Sequence, residues 1–309
     1  MKIPRPVVIT GPTATGKSAL GVQLAKRIDG EIISADSMQI YKYMDIGTAK
    51  PTMEERLGVA HHLIDFVQPG NDYSVARYVK DASVVIDDIC SRGKQPVIVG
   101  GTGLYIDSLL AGRSFCVRGD ENLRRMLSDE YDTIGGEAML AKLYKVDRDS
   151  AEILHSNDKK RIVRALETFE TTGKPISRHN AESKAAPPRY DAIKVALSFL
   201  SRTELYARIN ARVDDMLASG LISEVNALLE MGVPRSCTAM QAIGYKEISD
   251  AITTGSDINA AVEMVKIESR RYAKRQLTWL RRDNDLTWLV WDDAPDMDRG
   301  IKRLMELLV

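Results

Sequence analysis

Residues 7–18 read Val7-Val8-Ile9-Thr10-Gly11-Pro12-Thr13-Ala14-Thr15-Gly16-Lys17-Ser18. The first four residues are apolar or β-branched, as in a short buried strand, and apolar residues then recur at helical spacing from Ser18 to Ile28. The turn between them matches G-x-x-x-x-G-K-[ST], in which backbone N–H groups surround phosphate oxygens at a helix N-terminus. We therefore predict a phosphate-binding loop in which Lys17 supplies a charge and Ser18 is a ligand of Mg²⁺. A nucleotide such as ATP is the default occupant, but the pattern fits any diphosphate bound with Mg²⁺.

The sequence around this loop alternates between strand and helix patterns. Further strands are predicted at residues 31–35 and 96–100, and an amphipathic helix is predicted between them, from Ser74 to Arg92. Such alternation produces a parallel sheet with helices on its faces. The acidic pair in Val84-Val85-Ile86-Asp87-Asp88 resembles a metal-binding strand end, but it falls on the polar face of the predicted helix. The predicted fold class is α/β.

A long helical stretch interrupts this pattern. Between residues 115 and 190 the sequence has few β-branched runs, and strand signals return only at residues 192–200 and 287–291. We expect a catalytic α/β core with C-terminal helices, made of residues 1–114 and 191–309, and a helical insertion domain at residues 115–190. The length of 309 residues is sufficient for two hydrophobic cores.

The composition argues against several classes of protein. The three cysteines (Cys90, Cys116 and Cys237) are too far apart for a disulfide framework, and the four histidines lack metal-ligand spacing. The N-terminus lacks the features of a signal peptide, and no stretch approaches the ~20 apolar residues of a membrane span. We expect a soluble protein of the cytoplasm that does not associate with membranes.

The charge is balanced overall, with 43 basic and 43 acidic residues, but it is segregated along the chain. Residues 266–282 contain seven basic residues and one acidic residue, whereas residues 283–309 contain seven acidic and three basic residues. A basic helix face can bind a phosphate backbone even in a neutral protein. The other interpretation is a solvated helix face without a partner, and the counts alone do not separate the two.

Two further strand ends carry polar groups at the edge of the sheet where parallel sheets bind ligands. Asp36-Ser37-Met38-Gln39-Ile40-Tyr41 follows the second strand and offers a carboxylate, a hydroxyl and an amide, a set that can accept a proton from a nucleobase amine and hydrogen-bond to it. A turn cap is the other interpretation of Asp36. Gly100-Gly101-Thr102-Gly103 follows the third strand, where we expect its glycines to let the backbone approach a ligand.

Several motifs together resemble those of the tRNA dimethylallyltransferase family, whose members prenylate an adenosine beside the anticodon. The resemblance extends over nearly the whole chain. It indicates a bacterial-type enzyme, because the sequence shows neither the zinc finger of the eukaryotic members nor an organelle-targeting segment. The matching runs are Gly11–Ser18, Asp36–Tyr41, Asp45–Pro51, His61–Asp65, Gly100–Tyr105, Asn157–Glu167, Ala242–Glu247 and Arg271–Arg281.

The resemblance implies an activity and a set of diphosphate contacts. The enzyme would transfer the dimethylallyl group of dimethylallyl diphosphate to N6 of the adenosine at tRNA position 37, on the 3′ side of the anticodon, and give N6-(dimethylallyl)adenosine. Mg²⁺ would be the cofactor, and the protein would act as a monomer. The residues implied to bind the diphosphate are Gly11, Pro12, Thr13, Ala14, Thr15, Gly16, Lys17, Ser18 and Arg212.

The resemblance also implies catalytic residues and tRNA contacts. Asp36 would be the general base for the adenine amine, with Lys17 and Thr102 completing the catalytic set. Position 160 departs from the family, because many members carry glutamine where this chain has Lys160. The residues implied to contact the tRNA are Asp36, Ser37, Met38, Gln39, Thr102, Arg124, Lys160, Arg161, Ile162, Val163, Arg164, Gln241, Ala242, Ile243, Gly244, Tyr245 and Lys246.

Three other functions remain open at this point. A small-molecule kinase would explain the phosphate-binding loop but not the Asp36 run together with the basic segment at residues 266–282. An adenylate isopentenyltransferase, which prenylates free nucleotides, would need neither the insertion nor the basic segment. An RNA-binding adaptor without enzymatic activity would leave the phosphate-binding loop unexplained.

Overall fold

The computed structural model describes residues 5–113, 120–185 and 187–308. The chain forms two compact units. The first, here called the sheet unit, comprises Met1–Leu110 and Tyr190–Val309, and the second, the helical unit, comprises Ala111–Arg189. Cys116 and the predicted boundary between residues 114 and 115 lie outside the described residues.

The described residues of the sheet unit form six parallel strands in the order β3-β2-β4-β1-β5-β6. The central strand β1 pairs with β4 on one side, where Val8 faces Ile98, and with β5 on the other, where Ile9 faces Val195. The predicted parallel sheet is therefore confirmed, and only the two-residue edge strand β3 was not predicted. The strands are β1 (Val7–Thr10), β2 (Gly30–Ser34), β3 (His61–His62), β4 (Gln95–Val99), β5 (Ile193–Phe199) and β6 (Thr287–Trp291).

Helices of the sheet unit pack against this sheet and extend beyond it. One core cluster lies between α1 and the sheet, where Leu20 and Leu24 pack with Ile9, Val97 and Leu197. The helices are α1 (Lys17–Arg27), α2 (Val75–Ser91), α3 (Gly103–Ala111), α9 (Arg202–Ala218), α10 (Leu221–Glu230), α11 (Tyr245–Thr254), α12 (Ile258–Leu280) and α13 (Met297–Leu308).

The acidic run at Asp87 and Asp88 lies inside α2, as the helical spacing predicts. The side chain of Ser74 caps this helix by accepting a hydrogen bond from the Arg77 backbone N–H. Both aspartates are exposed, whereas Ile86 and Ile89 are fully buried. The run is therefore an amphipathic helix segment and not a metal-binding strand end.

The helical unit has its own core. Five helices surround a cluster that includes Leu127, Met139, Leu143, Ile162 and Leu166, and residues 120–185 contain no strand. These helices are α4 (Glu121–Ile134), α5 (Gly136–Val146), α6 (Arg148–Ile153), α7 (Lys159–Thr172) and α8 (Ile176–Ala185). Among the described residues of both units, no helix has the length and apolar character needed to span a bilayer.

Candidate active site

The carboxyl ends of β1, β2 and β4 meet at one cavity of about 360 Å³. The loop after β1 contributes Lys17 and Ser18, the turn after β2 contributes Asp36, and the end of β4 contributes Gly100. Residues of α9 and α12 form the opposite wall. Parallel strands have their carboxyl ends at the same edge of a sheet, so the predicted parallel sheet already places these three strand ends together.

The phosphate-binding loop is held in shape by its own hydrogen bonds. Gly16 lies in the left-handed region with φ of 84°, immediately before α1 begins. The Thr15 hydroxyl and the Lys17 ammonium group both donate to the Pro12 carbonyl, at 2.8 and 2.6 Å. A Cβ atom on Gly11 would lie 2.5 Å from the Leu197 carbonyl oxygen of β5, so only glycine fits there. The loop therefore has a fixed backbone before any ligand binds.

Two cations lie close together in the cavity and are poorly solvated. The pKa of Lys17 is lowered from 10.5 to about 7, chiefly by burial and then by the positive charge of Arg212, while Asp36 opposes the shift. Burial also lowers the pKa of Arg212, and the negative charge of Asp36, followed by that of Glu55, opposes this shift. Desolvated cations beside each other favour a ligand with more than one negative charge. Lys17 and Arg212 are therefore brought together as the resemblance implies.

Helices α9 and α12 brace the phosphate-binding loop from outside. The Thr13 backbone N–H donates to Gln276 Oε1 at 3.1 Å, and Gln276 Nε2 donates to the Gly101 carbonyl at 2.9 Å. Arg208 Nε donates to the Ala14 carbonyl at 3.3 Å. Neither Gln276 nor Arg208 was given a role from the sequence. Gln276 lies in the run Arg271–Arg281, which carries part of the resemblance, and this run is the sequence signal that could have pointed to a role for Gln276.

The Asp36 side chain lines the cavity and also caps its own turn. Its Oδ1 atom accepts hydrogen bonds from the backbone N–H groups of Met38, at 2.8 Å, and Gln39, at 3.3 Å. The Ser37 backbone N–H donates to Thr102 Oγ1 at 3.1 Å. The two interpretations of Asp36 are thus compatible, because the cap fixes a carboxylate that faces the cavity.

The glycines after β4 are required by contacts within the protein. A Cβ atom on Gly100 would lie 2.3 Å from the Ala35 backbone, one on Gly101 2.3 Å from Gln276, and one on Gly103 2.4 Å from Trp279. Gly100 and Gly101 still line the cavity, but Thr102 does not. The structure places the Thr102 hydroxyl on the Ser37 turn.

The Gln241–Lys246 segment divides between the cavity and the protein interior. Gln241, Ala242, Ile243 and Gly244 line the cavity. The Tyr245 ring is fully buried, and its hydroxyl donates to Glu224, so this side chain serves the protein interior. The contact of this segment with tRNA stays a prediction. Burial, together with the Glu224 charge, raises the pKa of Tyr245. Lys246 is exposed and does not line the cavity.

In the helical unit, the predicted tRNA contacts of α7 separate onto two faces. Lys160 and Arg161 are exposed, whereas the side chains of Ile162 and Val163 lie in the core of the unit. These two side chains therefore stabilise the helical unit, and the contact of the run 160–164 with tRNA stays a prediction. Helix periodicity explains this division, because residues on the core face are interspersed with exposed residues along the same run.

Arg124 and Arg164 share one buried partner. Glu167 is completely buried, Arg164 donates to it at 2.8 Å, and Arg124 donates to it through two nitrogens at 3.0 and 3.2 Å. A buried carboxylate without cations would be strongly unfavourable. Both arginines therefore stabilise the helical unit, whatever further contacts they make.

The basic segment at residues 266–282 is partly neutralised. Lys266 pairs with Asp214 at 2.8 Å and with Glu263 at 3.1 Å, and Arg271 pairs with Glu268 at 2.6 Å. Elsewhere on the same helix, Arg275 is exposed and lines the cavity. Tyr272 also lines the cavity, and burial near Asp36 raises its pKa to about 12. The segment is therefore a mixture of paired charges and cavity residues.

Comparisons with families and sequences agree with one another. The family model described as IPP transferase matches residues 39–283, and the model described as isopentenyl transferase matches residues 5–67. The tRNA dimethylallyltransferase of Acetivibrio thermocellus is 48% identical over 302 residues, which cover 96% of this chain and 95% of that protein. The tRNA dimethylallyltransferase of Carboxydothermus hydrogenoformans is 50% identical over 283 residues, which cover 91% of this chain and 90% of that protein.

Solved structures show the same similarity. The tRNA isopentenylpyrophosphate transferase of Bacillus halodurans superposes with a TM-score of 0.73 at 41% identity, covering 98% of this chain and 96% of that one. A eukaryotic dimethylallyltransferase, described as acting on tRNA, superposes with a TM-score of 0.82 at 31% identity. That match covers 98% of this chain and 77% of the eukaryotic one.

Proposed function

The chain belongs to the IPP transferase family, and we propose that it transfers a dimethylallyl group from dimethylallyl diphosphate to N6 of the adenosine at tRNA position 37. It is a prenyltransferase, and the products would be N6-(dimethylallyl)adenosine and diphosphate. The observation that carries the proposal is the placement of Lys17 and Arg212 in the same cavity as the Asp36 carboxylate. A leaving diphosphate and an incoming amine need these two kinds of group within one site.

The cations would serve the leaving group. As the C1–oxygen bond of the prenyl diphosphate breaks, negative charge grows on the diphosphate, and Lys17 and Arg212 would stabilise it there. Backbone N–H groups at the start of α1 would add further donors. The poor solvation of Lys17 strengthens its interaction with an anion, since fewer waters compete for the ammonium group.

Asp36 would serve the acceptor. The lone pair of adenine N6 attacks the prenyl C1 atom, the C1–oxygen bond breaks with its electrons leaving on the diphosphate, and the N6 proton moves to the Asp36 carboxylate. General-base assistance of this kind contributes ~10²–10⁴-fold in rate. The backbone N–H groups of Met38 and Gln39 hold Asp36 Oδ1 and so orient the carboxylate before the substrate binds.

The apolar part of the cavity favours prenyl transfer over phosphoryl transfer. Ile209, Val213 and Met216 occupy one face of α9, and Val265 of α12 also lines the cavity. An apolar surface next to the cations suits a prenyl diphosphate, whose tail is apolar, better than the hydroxylated substrate of a kinase. Arg212 lies on the same helix and lines the same cavity, which supports a substrate that is charged at one end.

The donor groups at the phosphate-binding loop fit Mg²⁺. Ser18 lines the cavity and is exposed, and the Ser34 hydroxyl is buried in the cavity wall without a hydrogen-bond partner among the described residues. Mg²⁺ keeps several waters when it binds one protein oxygen and phosphate oxygens, and a buried hydroxyl can hold one of those waters. Ser18 would be its protein ligand, and the ion would neutralise charge on the diphosphate.

Transfer to tRNA requires contacts outside the cavity and an unstacked base. Extruding an adenine from its stack costs a few kcal/mol, which contacts to the RNA backbone can offset. Lys160 and Arg161 of the helical unit and Arg275 at the cavity are exposed and available for such contacts. We propose that the enzyme acts as a monomer in the cytoplasm.

One incubation tests the proposal against its rivals. The protein is mixed with Mg²⁺, dimethylallyl diphosphate and unmodified tRNA, and the tRNA nucleosides are then analysed by mass spectrometry. We expect a five-carbon unit on adenosine, and well-folded protein that adds none would refute the proposal. A parallel reaction with AMP in place of tRNA identifies an adenylate isopentenyltransferase, and one with ATP and no prenyl donor identifies a kinase. Asp36→Asn provides the inactive control.

A further inference from the structure

The loop Asp45–Pro51, here called the wall loop, forms part of the cavity through Gly47, Thr48 and Pro51. It is held by a carboxylate that no sequence argument singled out. Glu224 of α10 accepts hydrogen bonds from the backbone N–H groups of Asp45 and Ile46, each at 2.8 Å, and from that of Gly47 at 3.1 Å. Three consecutive N–H groups are thus satisfied by one side chain that lies about 180 residues away in sequence.

Tyr245 completes this arrangement on the other side of the carboxylate. Its hydroxyl donates to Glu224 Oε1 at 2.5 Å, and the same oxygen accepts the Gly47 N–H. A Cβ atom on Gly47 would lie 2.5 Å from the Tyr245 ring and 2.8 Å from Leu221. The wall loop is therefore in close contact with α10 and α11, and Glu224 determines where its backbone lies.

Lys50 holds the other end of the wall loop in place. The Lys50 side chain is only 5% exposed. Its ammonium group donates to the Tyr41 carbonyl at 2.7 Å and pairs with Asp65 at 2.7 Å and with Asp45 at 2.5 Å. Since both ends of the loop are fixed by charged groups, its middle residues have little freedom.

The wall loop in turn fixes a residue of the Asp36 turn. Gln39 Nε2 donates to the carbonyls of Thr48, at 3.2 Å, and Ala49, at 3.1 Å. The backbone N–H of Gln39 donates to Asp36 Oδ1 at 3.3 Å. A continuous set of hydrogen bonds therefore connects Glu224, through the wall loop and Gln39, to the carboxylate proposed as the general base.

We propose that Glu224 is a positioning residue for the acceptor side of the reaction: it fixes the wall loop, which holds Gln39 and orients the Asp36 turn toward the adenine. This inference rests on the proposed function. It assigns Glu224 to the tRNA half of the site and not to the diphosphate half, because none of the contacts described for Glu224 is made to the phosphate-binding loop.

Glu224→Gln is the most informative variant because it changes little except the hydrogen-bonding capacity. The side chain keeps its shape, but one carboxylate oxygen becomes an NH₂ group that faces backbone N–H donors or the Tyr245 hydroxyl. Those donors then lose their acceptor, which is costly at the partly buried Ile46, Gly47 and Tyr245. Glu230→Gln is the matched control, since Glu230 lies on the same helix and is exposed.

The test compares the two halves of the site in the full-length protein. In Glu224→Gln, kcat/KM for tRNA should fall about 10- to 100-fold, whereas the Kd of dimethylallyl diphosphate with Mg²⁺, measured by calorimetry without tRNA, should change less than about twofold. Glu230→Gln should match the parent in both. Equal losses on the two sides, or no loss for tRNA, would overturn the proposal.

A double-mutant cycle separates positioning from general stability. Gln39→Ala removes the group through which Glu224 acts, so Glu224→Gln should lower kcat/KM much less in the Gln39→Ala background than in the parent. Fully additive effects would show that Glu224 acts elsewhere.

If Glu224→Gln does not fold, Tyr245→Phe replaces it in both measurements. Parent-like kinetics of Tyr245→Phe would then assign Glu224 to stability alone and refute the inference. A parent protein that fails to prenylate tRNA contradicts the proposed function, not this assignment.

Discussion

Lys17 offers a direct test of the site, because the charge on its ammonium group changes near neutral pH. Burial, with Arg212 beside it, lowers the Lys17 pKa to about 7. A bound diphosphate places negative charge against this group, favours the ammonium form and raises the pKa again. Binding therefore requires the charged form of Lys17, which the free protein loses as the pH rises through about 7.

The size of the effect follows from the pKa. At pH 6 about nine tenths of the free protein would carry the Lys17 charge, and at pH 8 about one tenth would. Above pH 7, each pH unit should therefore weaken the binding of dimethylallyl diphosphate about tenfold. At pH 8, binding should be accompanied by the uptake of close to one proton by Lys17.

Calorimetry measures this proton uptake directly. Titrations with dimethylallyl diphosphate and Mg²⁺, without tRNA, are carried out in pairs of buffers that differ in ionisation enthalpy. Lys17→Met is the control. Protonation of the diphosphate itself contributes to the proton uptake of both proteins, whereas protonation of Lys17 contributes only in the parent. The parent should take up about one more proton than the variant at pH 8. Equal uptake by the two proteins would refute the lowered pKa of Lys17.

Four other changes test separate parts of the structure. Asp36→Asn should lower kcat by ~10²–10⁴-fold in single-turnover assays and change tRNA affinity much less, and near-parent turnover would remove Asp36 from the mechanism. Replacing Lys160 and Arg161 with alanine should reduce the slope of log affinity for tRNA against log salt by about two or slightly less, with diphosphate affinity unchanged. An unchanged slope would show that neither residue contacts the RNA backbone. Lys17→Met should raise the melting temperature more at pH 6 than at pH 10. The pKa of Lys17 is lower in the folded protein than in the unfolded chain, so the charged form of Lys17, which dominates at low pH, destabilises the folded state. An equal effect at both pH values would contradict this. Gly11→Ala should lower the melting temperature and abolish diphosphate binding, since its Cβ would lie 2.5 Å from the Leu197 carbonyl, and a parent-like melting curve would show that the loop can adjust.

Most of the fold could be predicted from local patterns. Strands β1, β2, β4, β5 and β6 coincide with predicted strands to within one residue at each end, because each is a short apolar or alternating run bounded by polar or glycine-rich turns. The edge strand β3 could not be predicted. His61 and His62 form it because the exposed edge of β2 offers unpaired backbone groups, and such pairing leaves no pattern in a two-residue sequence.

The candidate site was predictable on its sheet side and not on its helix side. Parallel strands bring their carboxyl ends together, so the phosphate-binding loop and Asp36 could be placed near each other from the strand order alone. Gln276, Arg208 and Glu224 bind the phosphate-binding loop or the wall loop from α12, α9 and α10, and these loop partners lie more than 170 residues away in sequence. Contacts of that kind depend on how the helices pack, which no local pattern specifies.

A contiguous motif on a helix does not form one surface. In α7, the exposed Lys160 and Arg161 are followed by the buried Ile162 and Val163, and the next residue of the motif, Arg164, binds the buried Glu167. With 3.6 residues per turn, the side chains of five consecutive helix residues point in every direction, so they do not all face the same surface. The same run therefore serves both the core of the helical unit and its surface. A motif on a helix should be divided by periodicity before any part of it is assigned to a ligand. For this chain, that division leaves Lys160 and Arg161 as the residues of the run whose removal should change the salt dependence of tRNA binding.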